Sequence, residues 1–353
     1  MGFLRLLLAF SVAYGHSGYG QSGNPIFHVF FINASSAVVC FFTISGFYMA
    51  YVINEKYKSV DQWQKKFLLN RCLRLYPAYF VILVLCLIFL IYTGASNFVT
   101  GIKGISASYN ALIGFLNFSI VGQDIYIIYL LLRKIDPFTA MPIAQAWSVA
   151  VELELYLAAA CLFSTRSGLL KALGIGLALR LIMKYSGWIV TPIGCMLVFN
   201  VFVFFAMGGC SYILYKKIET WPWARRALCA GFMIAALVAA SWRYDGFWQI
   251  EARSDDYHCT LFYSGLALAV PFIFSLSQKS RLDNLLGNLS YPAYLGHIFV
   301  FNVVRYLRTY TGIKYFATHT FYIVSALILV FSYAIYKWVE EPIQKIRKRI
   351  VAQ

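Results

Sequence analysis

The chain has 353 residues, 61% of them hydrophobic and 12% charged, with a formal net charge of +16 and a mean hydropathy of +0.68. Soluble domains carry about 25% charged residues. The deficit, spread over many long apolar runs, excludes a water-soluble globule and points to a polytopic membrane protein. The basic residues fall in short loops between those runs, which argues against nucleic-acid binding and for topology signals or an anion-binding surface.

Apolar stretches near the ~20 residues needed to cross a bilayer lie at 3–20, 30–53, 77–93, 142–163, 168–186, 191–215, 226–242, 259–277, 290–309 and 317–339. They predict an all-α bundle of ten transmembrane helices, with the whole chain, 1–353, as one membrane domain. The first stretch could pass for a signal peptide. It lacks a small-x-small cleavage site and many spans follow, so it reads as a mature span. It carries Arg5 and His16. An eleven-residue step is about three helical turns and returns to nearly the same face, roughly 16 Å further on. Ionisable groups within lipid are functional-site candidates, and a neutral imidazole can accept a proton from an alcohol.

The second stretch holds Phe41-Phe42-Thr43-Ile44-Ser45-Gly46-Phe47, where Gly46 permits close helix approach. No base neighbours Ser45, so it reads as site lining rather than a nucleophile. Arg71 and Arg74 precede the third stretch, in Arg71-Cys-Leu-Arg74-Leu-Tyr76-Pro77. Three residues apart, they share a helix face and can grip phosphates with forked hydrogen bonds, or simply anchor the inner membrane surface. Segment 105–132 is apolar but carries Asn110, Asn117, Gln123 and Asp124. It reads as re-entrant or interfacial.

The fourth stretch contains Trp147, Ser148, Glu152, Glu154 and Tyr156. The two carboxylates, two residues apart, point to different helix faces and are not an acid/base pair. Glu152 shares a face with Tyr156 and is expected to balance Arg5 or Arg74, or to orient His16. The outer loop 243–258 mixes charge with Trp and Tyr, which suits a carbohydrate-like surface or an interfacial aromatic belt. Near the end, Ser290-Tyr291-Pro292-Ala-Tyr294-Leu-Gly-His297 predicts a helix start, with Pro292 in the first turn and Ser290 as cap. His297 reads as a packed histidine near the inner half. The basic tail 340–353 reads as a membrane-surface anchor.

With the N-terminus inside, the inner loops hold most of the Lys and Arg, among them Lys65, Lys66, Arg71, Arg74, Lys216, Lys217 and Lys345. This predicts ten spans with both termini cytoplasmic. The eight cysteines include no C-x-x-C pair and read as small core hydrophobes, with no metal site.

Together, five segments resemble the acyltransferase-3 family of integral membrane acyltransferases. They are Arg5-x10-His16, Phe-Phe-x-Ile-Ser45-Gly46-Phe, Arg71-x-x-Arg74-x-x-Pro77-x-Tyr79, Trp147-Ser148-x-x-x-Glu152-x-x-x-Tyr156 and Ser290-Tyr291-Pro-x-Tyr-Leu-x-His297, in the family's order. The sequence departs from the pattern at Leu6, where glycine is common, and at Leu153, where a second acid is common. The resemblance implies transfer of an acyl group, usually acetyl, to a carbohydrate hydroxyl at the bacterial cytoplasmic membrane. Acyl-CoA would be a co-substrate, with no permanently bound cofactor. The expected partners are a carbohydrate or glycolipid acceptor, the lipid bilayer and polysaccharide-assembly proteins, with no nucleic acid.

His16 is then the expected base, with Arg5 and Glu152 in the catalytic group. Arg71, Arg74 and Tyr76 are expected to bind the donor. Ser45, Trp147, Ser148, Tyr156, Tyr291 and His297 complete the candidate lining. A transporter or flippase of an anionic or lipid-linked solute is the alternative. A non-catalytic scaffold of a polysaccharide-assembly complex is a third reading.

Overall fold

Long apolar runs have no water to satisfy their peptide groups in lipid, so each must close its hydrogen bonds within itself, as helices do. The computed structural model describes residues 1–17, 31–94, 114–135, 141–189, 191, 194–242, 257–311 and 316–352, and all regular structure among them is helical. The helices are α1 (Gly2–His16), α2 (Ala34–Val52), α3 (Trp63–Thr93), α4 (Gln123–Leu132), α5 (Trp147–Leu162) and α6 (Arg166–Tyr185). They continue with α7 (Val198–Ile218), α8 (Trp223–Trp242), α9 (Tyr257–Ser277), α10 (Arg281–Thr311), α11 (Phe316–Ile335) and α12 (Glu341–Ala352). Two π-helical turns, Ile53–Tyr57 and Tyr336–Glu340, extend α2 and join α11 to α12.

The described residues of each of the ten apolar stretches lie on a helix or directly beside one. Among the described residues, six helical segments are long and apolar enough to cross a membrane: Ala34–Tyr57, Trp63–Thr93, Ala144–Leu162, Val198–Ile218, Cys259–Ser277 and Phe321–Ile350. α1 has only 15 residues, and α6 is diluted by Arg166, Lys171, Arg180 and Lys184. Residues 243–256, expected from the sequence to form an outer loop, and residues 95–113 ahead of α4 lie outside the described residues.

Side-chain caps begin several helices. Asn33 accepts from the Ser35 N–H at 3.0 Å ahead of α2, and Thr165 accepts from the Gly168 N–H at 3.0 Å ahead of α6; each satisfies a first-turn donor. The α1 cap comes from another helix. The Asp283 carboxylate of α10 accepts from the N–H groups of Gly2 and Phe3 at 2.8 and 3.0 Å. α10 begins nine residues before Ser290, so Pro292 lies inside the helix rather than in its first turn. Ser290 is not a cap: its hydroxyl donates back to the Gly287 carbonyl at 2.7 Å.

The bundle is organised around α2 on α7, α1 on α10, and α6 on α7. Gly46 of α2 allows its crossing with α7, because a Cβ there would lie 1.9 Å from the Phe205 carbonyl oxygen. Gly208 returns the relation: a Cβ there would lie 1.8 Å from the Thr43 carbonyl oxygen. Small residues at helix crossings are how membrane helices bring their backbones together. α1 and α10 run parallel, with Gly2 against Asp283 and Gly287 at one end and His16 against His297 at the other.

Candidate active site

Five core helices and the tail meet at a cavity of about 330 Å³, within the ordinary size range of small-molecule pockets. α1 supplies Arg5, α3 supplies Arg71 and Arg74, and α12 supplies Arg347. Lys56, on the first π-helical turn, also lines it. Opposite these cations stand Ser45 of α2, Ser148, Glu152 and Tyr156 of α5, and Tyr291 and Tyr294 of α10. The expected convergence of Arg5, Arg71, Arg74 and Glu152 is therefore present. Arg71 and Arg74, three residues apart, share one inward face of α3. Tyr76 and Trp147 do not line the cavity. The Tyr76 hydroxyl donates to the Ser119 carbonyl, and Trp147 packs between two apolar clusters.

The cations outnumber their partners. Among the described residues, no carboxylate oxygen lies within 4.0 Å of a guanidinium nitrogen of Arg5, Arg71 or Arg74. Glu152 is engaged elsewhere: Ser45 donates to it at 3.1 Å, and the Tyr156 hydroxyl donates to the same oxygen. Arg71 is 6% exposed and donates to Asn70 Oδ1 at 3.3 Å, while its Nε has no hydrogen-bond partner. Cations taken out of water need compensation. The carboxylates of Glu152 and Asp283 line the same cavity, and both are engaged by other donors.

Arg347 escaped the sequence reading because the tail looks like a surface anchor. It is held at α3 by a reciprocal pair. Its Nε donates to Asn70 Oδ1 at 3.0 Å, and Asn70 Nδ2 donates to the Arg347 carbonyl at 3.1 Å. A basic tail whose helix directly follows a span, with Asn70 one position before Arg71, was the available signal. Glu154 does not line the cavity, as its offset from Glu152 requires.

The sequence model for the acyltransferase domain of acyltransferase-3 proteins matches residues 1–337. The chain belongs to the acyltransferase-3 family. No curated protein and no solved structure matches it.

In this acyltransferase His16 is not at the cavity wall and Glu152 does not reach it. His16 instead meets His297, which is fully buried: Nδ1 of His16 lies 2.9 Å from Nε2 of His297, and the two rings are nearly parallel at 5°. The two histidines therefore share one depth in the bundle. The parallel packing of α1 on α10 is what brings these two side chains together across 281 positions of sequence. His297 Nδ1 in turn lies 2.6 Å from the Tyr294 carbonyl oxygen.

Tyr294 connects the two regions. Its hydroxyl, on the cavity side, is 2.7 Å from Ser148 Oγ and 3.1 Å from the Gln145 carbonyl oxygen. Gln145 Nε2, in the short 3-10 turn just ahead of α5, donates to the Leu295 carbonyl at 2.6 Å and ties that turn to α10. The Phe41 ring packs edge-on against Tyr294, with centroids 5.9 Å apart. Phe41, Ser148 and Tyr294 thus form the cavity wall nearest the histidines.

Proposed function

We propose that this acyltransferase moves an acyl group, acetyl being the expected one, from cytosolic acyl-CoA to a hydroxyl of a cell-surface or lipid-linked carbohydrate. The setting is the bacterial cytoplasmic membrane, with ten spans and both termini in the cytosol. The observation that carries the reading is the cavity in which Arg5, Arg71 and Arg74 have no carboxylate oxygen within 4.0 Å among the described residues. A nucleotide thioester brings several phosphates, and forked guanidinium contacts are the means of holding them. The excess of Lys and Arg in the loops on the same side supports a cytosolic mouth.

In this mechanism the anionic head stays among the arginines while the thioester arm runs past Tyr294 toward His16. His16 takes the hydroxyl proton, the alkoxide oxygen bonds to the acyl carbon, and the carbon–sulfur bond breaks. The proton held by His16 then passes to the departing sulfur. Glu152, bonded to Ser45 and Tyr156, holds the cavity's polar wall and moderates its positive field.

The test uses the full chain purified in lipid nanodiscs with acetyl-CoA and a membrane glycan extract. Acceptor-dependent release of free CoA, with an acetyl mass gain on a glycan, is the expected result. Solute movement with no CoA release would replace this reading with a transporter. Comparing surface glycans from cells with and without the protein identifies the acceptor.

A further inference from the structure

Several hydroxyls that line the cavity are committed to a fixed acceptor. Ser45 and Tyr156 donate to Glu152, Tyr291 donates to the Leu75 carbonyl at 2.9 Å, and Ser290 donates to the Gly287 carbonyl at 2.7 Å. Ser148 and Tyr294 are arranged differently. Their oxygens lie 2.7 Å apart, and both reach the Gln145 carbonyl oxygen, at 3.2 and 3.1 Å. Two hydroxyls bring two hydrogens. One lies between the two oxygens, and the other goes to the Gln145 carbonyl from either end of the pair. That carbonyl also accepts from the Trp147 N–H. The outgoing hydrogen can therefore turn to a new acceptor in the cavity while the contact between the hydroxyls stays made.

We propose that Tyr294 is a catalytic residue of the acyl-transfer step, its hydroxyl donating to the acyl carbonyl oxygen of the donor while Ser148 donates to Tyr294 from behind. The proposal rests on the acyl-transfer reading. A phenol is more acidic than an alkyl hydroxyl, so Tyr294 is the stronger donor of the two, and a hydrogen bond received from Ser148 polarises it further. The wall around the pair is apolar and held in place. The Phe41 ring packs edge-on against Tyr294 at 5.9 Å, and Val38 and Val149, close in sequence to Phe41 and Ser148, also line the cavity. The Gln145 side chain ties its turn to α10 beside Tyr294, through the Leu295 carbonyl at 2.6 Å. Donors fixed in advance in such a wall act most strongly on charge that develops during reaction.

As the acceptor oxygen bonds to the acyl carbon, the carbonyl electron pair moves onto the carbonyl oxygen, where the Tyr294 O–H meets it. The pair returns to the carbon as the carbon–sulfur bond breaks and sulfur leaves with the bonding electrons. The hydrogens of Tyr294 and Ser148 stay on their own oxygens throughout.

The experiment is isotope-edited infrared difference spectroscopy of carbonyl-labelled acetyl-CoA bound to the full chain in nanodiscs, without acceptor. Tyr294→Phe keeps the ring and removes the donor, so the carbonyl band should move to higher frequency than in wild type. Its kcat should fall about 100- to 1,000-fold, the cost of losing one such donor, with KM for acetyl-CoA little changed. Ser148→Ala should move the band the same way by less, and the double variant should lose no more than Tyr294→Phe alone. A difluorotyrosine placed at position 294 keeps the shape and donates more strongly, so it should lower the band below wild type.

A band that stays put in both the Phe and the difluorotyrosine proteins overturns the proposal, whatever happens to kcat. Additive losses in the double variant overturn the part given to Ser148. If the bands move as expected but wild type transfers no acyl group to a glycan extract, the carbonyl contact stands and the acyl-transfer reading fails. Should Tyr294→Phe not fold, the difluorotyrosine band decides.

Discussion

The cavity and the histidine pair solve opposite problems. In the cavity, Arg5, Arg71 and Arg74 come together with no carboxylate oxygen within 4.0 Å among the described residues. At the histidines the groups are chained, carbonyl to imidazole to imidazole, at 2.6 and 2.9 Å. An anion cradle can spread its work over several long side chains, so losing one weakens binding in part. A chain of single hydrogen bonds has one register, and losing one atom changes what the rest can do. Substitutions in the first region should therefore appear in KM, and those in the second in kcat.

The largest effect sharpens that division. His16→Ala should reduce acyl transfer by about 1,000-fold, within the range general-base catalysis supplies, while membrane insertion and acetyl-CoA affinity stay unchanged. Mass spectrometry of the acceptor glycan and a CoA-binding measurement on the same preparation check both halves. Near-normal acylation would sink the role of His16. The second effect lies on the other side. Arg74→Ala removes one charge-assisted contact, about 1.5–3 kcal/mol, and should raise KM for acetyl-CoA on the order of 10- to 100-fold with kcat little changed. A fall in kcat alone would erase the distinction between the regions.

Much of the fold was readable because a membrane helix announces itself by length and apolarity. The described residues of all ten stretches lie on a helix or directly beside one, and Gly46 sits at a close crossing as its neighbourhood suggested. Helix starts were less readable. α3 begins at Trp63 and α10 at Arg281, each in polar sequence outside the apolar window. Pro292 was misjudged because a proline inside a helix is tolerated where neighbouring helices re-satisfy the backbone. Arg5, Arg71, Arg74 and Glu152 were found because helical spacing aims each inward. The histidine contact was hidden, since it depends on the register of α1 against α10 across 281 positions. One sign was present: Ser290, Tyr294, His297 and Phe301 recur at helical spacing, marking a single inward face.

Tyr294 and Phe41 lie between the two regions, and altering them tests whether the regions communicate. Phe41→Ala removes the ring packed at 5.9 Å from Tyr294, widening the wall nearest the histidines. A methylene in an apolar pocket is worth about 10-fold or more in selectivity. The butyryl-to-acetyl ratio of kcat/KM should accordingly rise about 10-fold, measured with the two thioesters in competition. An unchanged ratio would mean that the acyl group reaches His16 by another route.

The smallest expected effect concerns the tail. Arg347 lies beyond residues 1–337 matched by the family, yet it lines the cavity and is fixed by Asn70, the neighbour of Arg71. It is partly exposed, so water and salt screen its charge, and exposed charge contacts are worth at most about 1 kcal/mol. Arg347→Ala should thus raise KM for acetyl-CoA by about 3- to 5-fold at low salt, with the difference shrinking as ionic strength rises and the Debye length falls below about 10 Å. Arg347→Gln, which keeps hydrogen-bonding capacity toward Asn70, separates charge from packing. If Gln behaves like Ala, the charge acts on the donor. If Gln behaves like wild type, the tail only braces α3, and the cradle ends with Arg5, Arg71 and Arg74.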